Sequence, residues 1–172
     1  GLLFAVAPHH LGRFTVDAFT GRAATWSTPS ITHAGRTLPV GDEAFVAELE
    51  ALLAEVDART EPGDSMFVGP VDLTRTNYSE TFLYFLLPDL VPASRHLTMN
   101  PGLANRPGGP LADELADADV LVLTDRFDGW SEPNTSVEPG APEPARIVAD
   151  RFCEAWSSPF HVLLVPCDER SS

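Results

Sequence analysis

Three stretches of the sequence concentrate polar and aromatic side chains of the types that recognise small polar ligands. They are residues 70–79, residues 100–110 and the segment that begins at Asp125. Amides and carboxylates can pair with the hydroxyls of a sugar, and an indole ring can stack on its apolar face. The candidate binding residues in these stretches are Asp72, Arg75, Asn77, Tyr78, Asn100, Asn105, Arg106, Asp125, Trp130 and Asn134.

The same residues also have structural interpretations, because loops need caps and turns whether or not they bind a ligand. Asn77 and Glu80 have the spacing of a helix capping box. Asn100 precedes a proline and is of a type that forms turns, and Trp130 could anchor its loop to the core. The binding hypothesis therefore depends on whether the fold gathers the three stretches at one edge.

The sequence contains none of the familiar catalytic patterns. A glycine-rich dinucleotide loop, a P-loop and a Gly-x-Ser-x-Gly elbow are all absent. The five histidines lack the spacing of metal ligands, and His96 and His161 fall in predicted strands. We therefore predict no catalytic residue, no metal site and no cofactor.

Two alternatives to a binding domain stay open. In one, the chain is a self-standing α/β enzyme in which Asp72, Arg75 and Asp125 converge as acid, base and electrophile. In the other, it is a protein-interaction or scaffold domain that uses an exposed apolar patch around its N-terminal strands.

The composition excludes several classes of partner. The 172 residues include 11 arginines, no lysine and 25 acidic residues, for a net charge of −14. Such a charge argues against nucleic acid and against an anionic membrane surface, since both attract basic proteins. The absence of lysine also excludes Schiff-base chemistry. With 44% hydrophobic residues, the chain can build a sizeable core.

Apolar periodicity predicts strands and turns in the N-terminal part of the chain. Residues 13–19 alternate as a half-buried strand, while residues 23–31 and 37–40 flank a polar turn, as in a hairpin. An apolar stripe that begins at Phe45 then predicts a helix from Glu43 to Ala58.

Strands and helices alternate along the rest of the chain. The predicted strands are 66–69, 95–99 and 120–123, the helices are 77–87, 111–116 and 145–150, and a closing hairpin joins 152–156 to 160–165. Alternation of this kind requires crossover connections and a sheet covered on both faces. We therefore predict an α/β fold with a three-layer, Rossmann-like, largely parallel sheet, antiparallel edge strands and a C-terminal hairpin.

This architecture predicts where ligands would bind. Residues 1–40 are expected to form strands and a hairpin packed on an α/β domain of residues 41–172, as one structural unit. Ligands of open α/β sheets bind beyond the carboxyl ends of the strands. We therefore expect Arg75, Asn105 and Trp130 to lie along one rim.

The chain has two cysteines, Cys153 and Cys167, which permit one disulfide. Two buried free thiols and a bridge are both compatible with the sequence. A bridge would favour an oxidising compartment.

Several segments together resemble a known kind of domain. They are 67–78, 85–90, 98–102, 119–124 and 130–134. These segments resemble the C-terminal soluble domain of polytopic actinobacterial membrane proteins, which are similar to membrane-embedded glycosyltransferases of the protein-mannosyltransferase type. The lysine-free, alanine- and arginine-rich composition fits a high-GC actinobacterial source.

The resemblance implies an extracytoplasmic domain that follows a bundle of transmembrane helices, with residues 1–7 as the end of the last span. In such transferases the catalytic acid lies in the membrane portion, which this chain lacks. The resemblance therefore implies a non-catalytic domain whose partner is its own transmembrane region, and which positions a carbohydrate or a lipid-linked sugar.

Overall fold

A computed structural model describes residues 28–74, 78–98, 103–127 and 139–167. The strands in these ranges are β1 (Ser30–His33), β2 (Arg36–Pro39), β3 (Ser65–Pro70), β4 (Val91–Pro92), β5 (Val120–Thr124), β6 (Phe152–Ser157) and β7 (His161–Pro166). The helices are α1 (Glu43–Asp57), α2 (Leu83–Leu86), α3 (Leu111–Ala116) and α4 (Glu143–Arg151). The predicted strand at 13–19 lies outside the described residues.

Five strands form a mixed sheet in the order β4-β3-β5-β7-β6. β3 runs parallel to both of its neighbours, β4 and β5, whereas β7 runs antiparallel to β5 and to β6. The predicted α/β class is thus confirmed, but the parallel part of the sheet is limited to three strands. The short turn between β6 and β7 is the reason, since a tight turn can join only antiparallel strands.

Helices cover both faces of this sheet. Successive residues of β3 alternate between the faces, so that Met66 and Val68 pack with α1 whereas Phe67 packs with α3. β5 divides in the same way, with Val122 towards α1 and Leu121 towards α3. Because both faces are buried, the central strands read as continuous apolar runs.

Helix α1 forms where its apolar stripe predicts it. Asp42 caps the N-terminus, accepting hydrogen bonds from the backbone N–H groups of Ala44 and Phe45. The buried face of the helix consists of Phe45, Leu49, Leu52, Leu53 and Val56.

The predicted hairpin is also present, as β1 and β2 joined by Ala34 and Gly35. Both turn residues have positive φ angles, 46° and 73°, which suit a two-residue turn between twisted strands. Ile31 of β1 belongs to the same apolar cluster as α1, so the hairpin shares the core of the larger sheet.

The strand predicted at 95–99 is wrong over its described residues. The strand that pairs with β3 is Val91–Pro92, and residues 93–98 have no regular structure. Beyond that pairing, the Tyr84 hydroxyl accepts a hydrogen bond from the Val68 N–H at 3.0 Å. A tyrosine side chain thus occupies the edge of β3 that a longer strand would have used.

The helix predicted from Asn77 is shorter than expected, because only Leu83–Leu86 is helical. Asn77 lies outside the described residues. The side chain of Glu80, its expected partner in a capping box, instead contacts His161 and Arg126.

Candidate functional site

A buried histidine lies between two glutamates at the carboxyl ends of β3 and β5. β7 begins at His161, which pairs with Thr124, the last residue of β5. The His161 Nδ1 atom lies 2.7 Å from Glu48 Oε1, and its Nε2 atom lies 2.5 Å from Glu80 Oε2. His161 and Glu80 are each 1% exposed. Three distant parts of the chain therefore meet at one imidazole.

The two carboxylates favour the charged form of this imidazole. Burial by itself lowers the pKa of His161, but hydrogen bonds to Glu80 and Glu48 and the charges of both carboxylates outweigh it, and the pKa is raised. Only an imidazolium can donate from both ring nitrogens. The two contacts therefore favour the doubly protonated ring, with one N–H directed to each glutamate.

The pKa of Glu48 shifts in the opposite direction. Burial by itself raises the pKa of Glu48. Hydrogen bonds from Ser158 and His161, the His161 charge and a backbone hydrogen bond from Phe160 lower the pKa by more than burial raises it, so the net shift is downward. The Ser158 hydroxyl donates a hydrogen bond to Glu48 Oε1, and its oxygen accepts one from the backbone N–H of His161 at 3.0 Å. This carboxylate is therefore held in its ionised form.

Arg126 completes the group. Its Nη1 atom lies 3.4 Å from Glu80 Oε1, and its guanidinium carbon lies 3.6 Å from the centroid of the Phe45 ring. The Phe45 ring also stacks with His161 at a centroid distance of 6.1 Å. The group thus brings two carboxylates together with one imidazole and one guanidinium. We call Glu48, Glu80, His161 and Arg126 the charge cluster.

An open cleft of about 390 Å³ adjoins the charge cluster. Arg126 and Glu80 contribute its polar wall, and Phe45 also lines it. The other lining residues are Leu38, Pro39, Val40, Phe82 and Phe127. This space, the Arg126 cleft, combines one guanidinium with aliphatic and aromatic walls. Its composition suits a ligand with both polar and apolar surfaces.

The arrangement lacks the geometry of a nucleophile activated by a base. Both ring nitrogens of His161 lie within hydrogen-bond distance of a glutamate oxygen. Ser158 donates its hydroxyl to Glu48, not to the imidazole. Of the charge cluster, Arg126 and Glu80 line the cleft.

Five of the residues predicted to bind ligand lie outside the described part of the chain. They are Arg75, Asn77, Asn100, Trp130 and Asn134. The expected rim of Arg75, Asn105 and Trp130 consequently stays a prediction.

Asn105 is placed inside the protein. Its Nδ2 atom donates to the Leu73 carbonyl at 2.5 Å, and the backbone carbonyl of Asn105 accepts from the Ala141 N–H. A Cβ atom on Gly140 would lie 2.7 Å from Asn105 Nδ2, so a glycine is needed there. The side chain is completely buried, and its Oδ1 atom has no partner among the described residues. Asn105 thus ties together the loops after β3 and before α4.

Of the other described candidates, one forms a turn, two are exposed at the surface and one lies next to the cleft. Asp72 accepts from the Thr74 N–H and hydroxyl through one oxygen, as in an Asx turn. Arg106 and Asp125 are exposed. The Tyr78 ring contacts that of Phe127 at a centroid distance of 6.1 Å, which brings Tyr78 next to the Arg126 cleft.

The charge cluster itself was not among the candidates that the sequence suggested. One signal was available in α1, where Glu48 follows Phe45 by three residues and precedes Leu49. A carboxylate there interrupts the apolar face of the helix. A buried carboxylate needs a partner, but the sequence does not say that the partner is His161.

The structure joins Cys153 to Cys167 by a disulfide, which links β6 to the residue after β7. The alternative of two free thiols is thereby removed. Among the described residues, no group of His, Cys, Asp and Glu is arranged to hold a metal ion. None of the helices in those residues is both long and apolar enough to cross a bilayer.

The fold and the site define a mixed α/β domain with an open, arginine-bearing cleft at the carboxyl ends of its parallel strands. Comparison of the chain with protein-family models, with curated proteins and with solved structures found no match in any of the three.

Proposed function

We propose that this chain is a non-catalytic, extracytoplasmic domain of a glycosyltransferase-like membrane protein, and that it positions a carbohydrate or lipid-linked sugar in the Arg126 cleft. The proposal includes a Rossmann-like relationship for the α/β fold. The observation that carries the binding function is the cleft itself, in which a guanidinium lies beside aromatic and aliphatic walls. A sugar needs both kinds of surface, because its hydroxyls require hydrogen-bond donors and acceptors and the C–H groups on its faces pack on apolar side chains.

The hydrogen bonds of the charge cluster support a binding role over a catalytic one. A general base needs a free lone pair within reach of substrate, and both nitrogens of His161 are engaged by glutamates. Asp72, named in the enzyme alternative, is engaged by Thr74.

The disulfide supports the extracytoplasmic part of the proposal. Disulfides persist in oxidising environments and are rare where glutathione keeps thiols reduced. Cys153 is exposed, so a reducing compartment would have access to the bond.

The relationship to glycosyltransferases, and the transmembrane region as partner, rest on the sequence segments that resemble those proteins. The cleft is compatible with that relationship because it is open to solvent, as a surface that receives part of a larger ligand must be.

The scaffold alternative concerns the N-terminal strands, of which the described residues include β1 and β2. It expects an apolar patch around the N-terminal strands. Among the described residues, the large apolar side chains that are exposed are Val71, Phe85, Val91, Leu97, Leu103 and Phe160, none of which lies in β1 or β2.

Titration of the isotope-labelled 172-residue chain with a neutral trisaccharide such as maltotriose, followed by NMR, tests the proposal. We expect shifts at Leu38, Val40 and Phe127 and no chemical change in the sugar. Arg126→Ala should remove the shifts, while Arg146→Ala, an exposed arginine on α4, should leave them unchanged. Shifts confined to a second cleft, whose lining includes His33, Asp57 and Pro88, would overturn the proposal, as would turnover of the sugar.

A further inference from the structure

Within the part of the chain that the structure describes, Arg126 uses little of its hydrogen-bonding capacity. A guanidinium carries five N–H donors, and among the described residues only Nη1 has a side-chain acceptor, Glu80 Oε1 at 3.4 Å. That distance is long for a charge-assisted hydrogen bond. The guanidinium carbon lies over the Phe45 ring, 3.6 Å from its centroid, and this contact restricts where the guanidinium can move.

Arg126 is more exposed at the cleft than either carboxylate of the charge cluster. The Arg126 side chain is 37% exposed, whereas the side chains of Glu80 and Glu48 are 1% and 13% exposed. The Glu80 carboxylate also accepts from the imidazolium of His161, which offsets part of its negative charge. Arg126 is therefore only partly neutralised by its protein partner, and an anion in the cleft would meet the cation first.

We infer that the ligand of the Arg126 cleft is an acidic sugar whose carboxylate pairs with Arg126, an inference that rests on the proposed function. A carboxylate is planar and can accept two parallel hydrogen bonds from a guanidinium. The sugar ring would then lie against the walls that contain Phe82 and Phe127. The cleft volume of about 390 Å³ lies in the range of small-molecule sites.

The charge balance favours a carboxylate over a phosphate monoester. A phosphate monoester carries a charge of about −1.5 to −2 at neutral pH, and the cleft offers it a single arginine in a chain whose net charge is −14. The single charge of a carboxylate is matched by one guanidinium. A uronic acid residue of an oligosaccharide fits this description.

Three probes with the full chain test the inference: a trisaccharide that contains a single galacturonic acid residue, the same trisaccharide with that carboxylate methyl-esterified, and galactose 1-phosphate. We expect the acid to bind at least about tenfold more tightly than the ester at low salt, with the difference shrinking at high salt. Arg126→Lys, which keeps the charge but loses the planar fork, should reduce the preference. Arg146→Ala should keep it.

The outcomes separate this inference from the proposed function. Equal binding of acid and ester in the cleft would overturn the acidic-sugar inference and leave the carbohydrate-binding proposal standing. Failure of all sugars, the neutral trisaccharide included, would overturn both. Tighter binding of galactose 1-phosphate than of the acid would overturn the assignment of a carboxylate. Thermal melting of each variant shows whether a loss of binding reflects a loss of folding.

Discussion

Glu80 Oε2 lies 2.5 Å from His161 Nε2, although the two residues are 81 positions apart in the chain. The contact joins the segment before α2 to the first residue of β7. The other oxygen of the same carboxylate contacts Arg126, which lines the cleft. One buried carboxylate thus connects the core of the sheet to the surface on which the proposed function depends.

Stability should depend on pH with a maximum in mildly acidic solution. The pKa of His161 is raised in the folded protein, so its contribution is complete below the ordinary value of 6.5 and is lost as the pH rises through the folded value. The pKa of Glu48 is lowered, so its contribution is complete above the ordinary value of 4.5 and is lost as the pH falls through the folded value. We therefore expect the highest stability between these two values.

Urea denaturation at a series of pH values checks this. Between the unfolded and folded pKa values of His161, the free energy of unfolding should fall by up to about 1.4 kcal/mol per pH unit. His161→Gln should flatten that slope, whereas His33→Gln, at a partly exposed site, should retain it. An unchanged slope in His161→Gln would contradict the prediction.

Removal of Glu80 should be strongly destabilising. Glu80→Ala removes one of the two carboxylates that contact the buried His161, and breaking a buried pair typically costs about 3–5 kcal/mol. Glu80→Gln keeps the shape and an acceptor oxygen, so its loss should be smaller. Chemical denaturation measures both. Glu50→Ala, on the exposed face of α1, is the matched control and should stay within about 0.5 kcal/mol of the parent protein.

Asn105→Ala should lower stability without changing the cleft. The substitution removes the buried hydrogen bond to the Leu73 carbonyl and leaves that oxygen unpaired, at a cost of about 1–3 kcal/mol. Sugar affinity should be unchanged, because Asn105 does not line the Arg126 cleft. The neighbouring exposed Arg106→Ala should alter neither property. A loss of affinity in Asn105→Ala at unchanged stability would instead support the ligand-binding role that the sequence suggested.

The disulfide should contribute measurably to folding. Cys153 and Cys167 are 14 positions apart, and closing a loop of that length stabilises a protein by about 3 kcal/mol. The double variant Cys153→Ser, Cys167→Ser should lose about this amount in a denaturant titration. Adding a reductant should destabilise the parent protein and leave the double variant unaffected. Equal stability of the two proteins before reduction would count against a structural bridge.

The apolar pattern of the sequence correctly predicted those helices and strands whose periodicity is visible within a few neighbouring residues. The apolar stripe of α1 and the continuous run of β5 are examples, as are α3 and the closing hairpin. The strand predicted at 95–99 was wrong because the edge of β3 is occupied by Tyr84, a residue far from β3 along the chain. The capping role expected for Glu80 with Asn77 stays a prediction, but the contacts of its carboxylate with His161 and Arg126 could not be inferred from local spacing.

The sequence by itself determined the α/β class, the acidic charge, and the positions of helices and strands whose side chains alternate with a regular period. Only the tertiary structure decided which titratable groups meet. His161 contacts Glu80 across 81 positions and Glu48 across 113. Periodicity reports which face of an element is apolar, but not which distant residue packs against it. Hydrogen bonds at this range depend on the order and register of strands, which the whole core determines.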